Sequence, residues 1–394
     1  VSPAAASPRN AALDQLRSFV TLLVLLHHTL LAYHPYAPPP GPFDGPSLPW
    51  TAFPVVDGAR LAAANWIVGF NDVFFMSLMF LISGVFVWPA LARRGAYDFA
   101  RERLLRLGLP FMIGAAVLAP LAYYPAWRTG GGEPGVLPFW RAWTSLPVWP
   151  AGPAWFLWVL LAFGLLAAGV YVVAPRSGEV LGRHLARRPP GALFLVMVAA
   201  SAAVYLPVAR VVDPMAWFGY GAFFAQTTRV AHYFVYFLVG IGLGAVALER
   251  GVFAPAGELA RRWWTWTIAA PIAYALLVAI QNRWATTGES EPTTALHVAA
   301  DLAFVISCAV SCLALLALFL RFARRQGAIG ASLARNAYGI YLTHYVFVTW
   351  LQWRLLDEPW PAACKVAAVF GGSLSLSWIA TAVLRRVPVL SRAL

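Results

Sequence analysis

Ten apolar runs of roughly 20 residues recur along the chain, near 14-34, 69-92, 104-124, 153-174, 191-210, 230-248, 263-281, 297-320, 333-353 and 362-384. A helix rises about 1.5 Å per residue, so each run can cross a hydrocarbon layer about 30 Å thick. Backbone groups inside a bilayer must be satisfied internally, which leaves helices as the solution for runs of this length. The composition, 60% hydrophobic and only 11% charged, agrees, because no single soluble core could hide that much apolar surface. The expected fold is all-α: a polytopic integral membrane bundle of about ten transmembrane helices, with residues 1-394 forming one membrane domain. No appended soluble domain or repeat period is visible.

The net charge of +13 raises the question of nucleic acid, and its distribution answers it. Lys365 is the single lysine, and basic residues are not interleaved with stacking aromatics outside an apolar context. With the N-terminus inside, twenty basic residues fall on the inner side, from Arg9, Arg93 and Arg94 through Arg176, Arg250 and Arg324 to Arg392. Eight fall outside: Arg60, Arg128, Arg141, Arg210, Arg229, Arg283, Arg354 and Lys365. Positive residues gather on the cytoplasmic side, so the bias predicts cytoplasmic N- and C-termini in the inner (plasma) membrane. The first run carries Arg17, His27 and His28 and lacks a cleavage site, so it reads as a span and not a signal peptide.

The outer segments from Tyr36 to Pro54 and from Trp127 to Pro153 are rich in Pro, Gly and Trp, and read as ordered caps. Interfacial anchoring and a sugar platform both fit them. Cys308 and Cys312 lie one helical turn apart in an apolar run, and Cys364 reads as a small packing residue, so no disulfide is expected.

Ionisable groups inside a membrane helix are expensive, and each is a functional candidate. Arg17 and His28 are eleven steps apart, which at about 100° per residue returns to nearly the same face about 16 Å farther along. His344 lies at a similar depth in the ninth run, with Tyr341 one turn before it. Asp72, opening the second run, and Asp301, in the eighth, could orient a histidine, bind a cation or pair structurally. His232 and His297 are expected at hydrated outer helix ends, His34 in an outer loop, and His27 about 100° away from His28 as a packing neighbour. No metal-ligand cluster is legible.

Several of these residues sit in segments that together resemble the acyltransferase 3 family of membrane O-acyltransferases. Leu13-Asp14-Gln15-Leu16-Arg17 followed by His28 is similar to its opening signature. Phe80 to Phe86 resembles its second-helix Ser-Gly-x-Phe segment, and Arg103 to Pro110 its basic lead-in to the third helix. Trp155-Phe156-Leu157 and Tyr338 to His344 resemble later signatures. The look is closest to the glucan succinyl-transfer branch without an extra domain, although Ser77 and Ala154 depart from it.

The resemblance implies transfer of an acetyl or succinyl group from cytoplasmic acyl-CoA, the donor substrate, to a hydroxyl of a glycan or glycoconjugate at the membrane. His28 is then the catalytic base with Arg17 positioning it or the donor, and Arg103 and Arg106 contact the CoA phosphates. His344, Tyr341 and Asp301 are candidates to orient the acceptor or the oxyanion. A neutral imidazole suits proton abstraction near pH 7. Direct transfer and an acyl-histidine intermediate both remain open. The competing readings are a secondary transporter or flippase, for which no persuasive inverted repeat is found, and O-acylation of a small secondary metabolite.

Overall fold

The computed structural model describes residues 11–44, 49–246, 251–254, 256–287, 293–323 and 325–387. Arg9, Arg250, Arg324 and Arg392 of the charge count lie outside the described residues. The long helices are α1 (Ala11–Leu31), α2 (Ala62–Val85), α3 (Ala96–Thr129), α4 (Trp155–Val173) and α5 (Pro190–Ala209). They continue as α6 (Thr227–Ala245), α7 (Trp263–Thr287), α8 (Thr294–Phe322), α9 (Ala328–Arg354) and α10 (Ala362–Leu384). Shorter helices, Val87–Arg94 and Ser177–Ala186 among them, sit at the arginine-rich end.

Eight of these segments are long and apolar enough to cross a membrane, which makes this a multi-pass membrane protein. The helices outside that set are α1 and α9, although their lengths of 21 and 27 residues suffice for a crossing. Their hydropathy is lowered by Asp14, Arg17, His27 and His28 in α1 and by Asn336, His344 and Gln352 in α9. Packing offsets the cost, because α1 is flanked by α2, α8, α9 and α10. A helix so enclosed presents its two histidines to protein instead of lipid, while Arg17 stays exposed near its start.

Most boundaries fall within a few residues of the apolar runs. The second helix starts at Ala62 instead of residue 69, because Asn65, Gly69 and Asn71 depress local hydropathy without breaking the helix. Asp72 therefore lies in the interior of α2 and does not open it. The third begins at Ala96, eight residues early, where Asp98, Arg101, Glu102 and Arg103 form polar first turns.

The crossing of α2 and α6 depends on glycine. A Cβ at Gly84 would strike the carbonyl of Phe237, and one at Gly240 or Gly244 would strike the carbonyls of Leu81 or Val85. Gly240 and Gly244 form a Gly-x-x-x-Gly pair, which lets two membrane helices approach backbone to backbone.

Two π-helical segments, Leu104–Gly108 and Gly114–Leu118, interrupt α3. Pro110, Pro120 and Pro125 also lie in this helix, and each lacks an N–H that could bond a carbonyl of the preceding turn. For Pro110 and Pro125 the carbonyls four residues earlier belong to Arg106 and Leu121, and α9 supplies a donor to each. The Tyr338 hydroxyl donates to the Arg106 carbonyl, and Trp350 Nε1 donates to the Leu121 carbonyl at 2.8 Å. α9 is thus fastened to α3 near both ends by aromatic donors.

At the opposite, aromatic-capped end, Phe43 stacks on Trp50 at 4.2 Å between ring centroids, and Trp50 packs edge-on against Tyr123. Asp57 and Lys365 form a buried ion pair at 2.7 Å, 3% and 2% exposed, which ties the segment before α2 to the start of α10. The all-α expectation did not include one short antiparallel hairpin, β1 (Trp217–Tyr220) and β2 (Phe223–Gln226), turned at Gly221 with φ of 57°.

Candidate active site

His28 lies three residues before the end of α1, and His344 lies in the middle of α9. The two rings meet, with His344 Nε2 3.4 Å from His28 Nδ1 and ring centroids 5.2 Å apart. Helix backbone orients both. His28 Nδ1 donates to the Val24 carbonyl at 2.8 Å, and His344 Nδ1 donates to the Tyr341 carbonyl at 2.7 Å. A carbonyl only accepts, so each neutral ring carries its proton on Nδ1. Nε2 of His344 is then a lone pair facing the N–H of His28, and Nε2 of His28 is a lone pair with no protein partner among the described residues. His344 is 1% exposed, whereas His28 is half-buried and keeps accessible surface.

Two further residues of α9 complete the arrangement and were not singled out in the sequence. Tyr345 packs edge-on against the His28 ring at 4.9 Å. Gln352 donates to the carbonyls of His28 at 2.9 Å and Thr29 at 3.1 Å. These carbonyls belong to the last turn of α1, where no helical N–H remains to satisfy them. Tyr345 and Gln352 are seven residues apart and share a face of α9, and that spacing was the available signal. His27 faces away and stacks on Phe75 at 5.2 Å, as expected of a packing neighbour.

The remaining candidates are placed elsewhere. Arg17 is exposed near the arginine-rich end, 3.4 Å from Asp14, and makes no contact with His28. Asp301 is paired with Arg210, and Asp72 accepts from Arg229 at 2.7 Å, so both carboxylates serve ion pairs instead of a histidine. Tyr341 points its hydroxyl at the Pro153 carbonyl. Arg103 lies over the Phe99 ring at 4.9 Å, and Arg106, in the first π segment, is 3.4 Å from Glu102. Tyr338 bonds the backbone of that segment, so the α9 that carries His344 also touches the arginine cluster. His232 corrects the expectation of a hydrated helix end. It is fully buried among Tyr205, Tyr236 and Phe304, because the turns of α6 around it are covered by α2 and α5.

Beside the histidine pair a shallow, partly open crevice with only about 20 Å³ of enclosed space lies between the second π segment of α3, the start of α4 and α9. Gly114, Leu118, Ala119, Ala154, Leu342 and Val346 line it, with Tyr341 and Tyr345 as its inner wall.

A family model described as an acyltransferase domain, that of the acyltransferase 3 family, matches residues 10–382, nearly the whole chain. The chain belongs to the acyltransferase 3 family. It is therefore an enzyme that transfers acyl groups, and the transporter reading falls away. No curated protein matches the sequence. In this acyltransferase, α1 and α9 bring together two imidazoles separated by 316 residues in sequence.

Proposed function

We propose that the protein is an acyl-CoA-dependent O-acyltransferase in which His28 Nε2 is the general base. The observation that carries this reading is the pairing of His28 with His344, in which Nδ1 of His28 is held by the Val24 carbonyl and faces His344 Nε2, leaving Nε2 of His28 open. In the reaction the acceptor hydroxyl gives its proton to Nε2 as its oxygen forms a bond to the thioester carbonyl carbon. The C–S bond then breaks, and the imidazolium returns the proton to the departing CoA thiolate. The lone pair of His344 Nε2 faces the Nδ1–H of His28 and stabilises the imidazolium as it forms.

Arg103 and Arg106 receive the CoA phosphates at the arginine-rich end, where a guanidinium fork suits them. Arg17 positions the donor at that end and does not position the imidazole, since about 16 Å of helix separates it from His28. The inner-membrane location and the cytoplasmic termini are supported by the arginine bias, which would let a cytoplasmic thioester arrive from that side. The acceptor is a hydroxyl of a carbohydrate approaching from the aromatic-capped end, to which His28 lies closer.

The test is release of free CoA by the purified protein in nanodiscs across a screen of acyl-CoA donors and hydroxyl acceptors. Acceptor-dependent CoA release is the expected result. Its absence with every pair, or release that does not depend on an acceptor, would overturn the reading.

A further inference from the structure

Asp72 lies well inside α2, yet its side chain is 39% exposed. That surface does not face lipid. Ala63, Trp66 and Ile67 are exposed on the same half of the helix, and at about 100° per residue Asp72 points about 120° to 180° away from them. The flank beside it packs on α1, through Val68 with Leu30 and Phe75 with His27. Arg229 meets it from α6. The exposed carboxylate therefore borders space inside the bundle, between α1 and α6, which is where an ionisable group of a membrane helix marks a substrate path. The ion pair engages only part of it. Arg229 donates to Oδ2 at 2.7 Å and to the Asp72 backbone carbonyl at 3.0 Å, and Oδ1 has no donor among the described residues. Asn65, two turns nearer the capped end and about 20° away around α2, is also half-buried and reaches His34 in the segment after α1. On the other side Asp72 acts electrostatically on His27, whose ring stands edge-on to His28 with centroids 5.5 Å apart. Polar side chains thus run from the capped end, by Asn65 and Asp72, to His27 and His28.

We infer that Asp72 binds the acceptor, its Oδ1 accepting a hydrogen bond from a carbohydrate hydroxyl other than the one that is acylated. This rests on the reading of His28 as the acyl-transfer base. Phe75 stacks on His27, and Asp72 is one turn of α2, roughly 5 Å, nearer the capped end. An acceptor arriving from that end meets Asp72 before it reaches His28. Arg229 neutralises the carboxylate and holds it in place, so the site suits a neutral polyhydroxyl ring and offers a cationic acceptor no net attraction. An alcohol with a single hydroxyl, already committed to His28, gains nothing from Asp72. The residue therefore selects among acceptors and leaves the donor and the proton transfer to other groups.

The experiment compares glucose with cyclohexanol, a six-membered ring carrying one hydroxyl, as acceptors, with acetyl-CoA and succinyl-CoA in turn as donors. It is run on the wild type, Asp72→Asn and Asp72→Glu. Asp72→Asn should lower kcat/KM for glucose by about ten- to a hundredfold, the range of one hydrogen bond to a charged group. The loss should appear as a higher KM for glucose with kcat retained, while cyclohexanol stays within twofold of the wild type. Asp72→Glu keeps a charge opposite Arg229, so it folds where the amide variant does not. It should lower kcat/KM for glucose several-fold and leave cyclohexanol unchanged. Equal losses on both acceptors would reduce Asp72 to a structural ion pair and overturn the inference. So would glucose turnover unchanged in both variants, a fall in kcat for glucose without a rise in KM, or transfer to cyclohexanol and not to glucose. Each of these leaves acyl transfer at His28 intact. Absence of CoA release with either acceptor in the wild type would instead count against the enzyme reading beneath the inference.

Discussion

At the scale of single residues, the chemistry depends on which nitrogen of His28 is free. Its Nδ1 is held by the Val24 carbonyl and faces His344, so only Nε2 can take a proton from an alcohol. His344 has a different task, because its Nε2 faces the proton-bearing side of His28. His344→Gln keeps a polar group at that position but not the imidazole lone pair, and it should lower kcat by about ten- to a hundredfold with little change in KM. A KM effect without a kcat effect would assign His344 to acceptor binding instead. Tyr338→Phe removes the donor to a carbonyl that Pro110 has left without one. The expected loss is about 1–3 kcal/mol of stability, read as a lower melting temperature of the detergent-solubilised protein. An unchanged melting temperature would mean that the carbonyl finds another partner.

Among the helices, α2 and α6 cross backbone to backbone, where Gly84, Gly240 and Gly244 admit no side chain. Gly240→Leu should separate these helices and reduce the yield of monodisperse protein several-fold, whereas Gly169→Leu, at a position with open space, should not. Equal yields would show that the crossing can re-form at a wider spacing. The long helices were readable in the sequence because the bilayer imposes a length and an apolar composition on every span. The depths of His28 and His344 were readable for the same reason, since residue counts along two helices fix axial position. Their lateral contact was not, because it depends on which helices neighbour each other. The pairings of Asp72 with Arg229 and Asp301 with Arg210 were hidden likewise, each joining helices far apart in sequence. The hairpin at Trp217–Gln226 was missed because four-residue strands rich in aromatics read like the interfacial ends of the helices beside them.

Across the whole molecule, two ends of different character flank one buried site: an arginine-rich end that suits a polyanionic donor and an aromatic-capped end closer to His28. The buried pair of Lys365 and Asp57 holds the capped end together. Removing one partner strands the other charge, so Lys365→Met should cost about 3–5 kcal/mol, and the double change with Asp57→Leu should recover much of it. A double variant no more stable than the single one would mean that the pair contributes by its attraction and not merely by mutual neutralisation. α1 and α9 are the two helices too polar to count as ordinary spans, and they are the two that carry the histidines, so the stability given up in them is tied to function. The most direct measurement is acceptor-dependent CoA release by His28→Ala at equal folded protein, compared with the wild type. Turnover should fall by at least about a hundredfold, the scale of a lost general base; turnover within twofold of the wild type would contradict the role assigned to this imidazole.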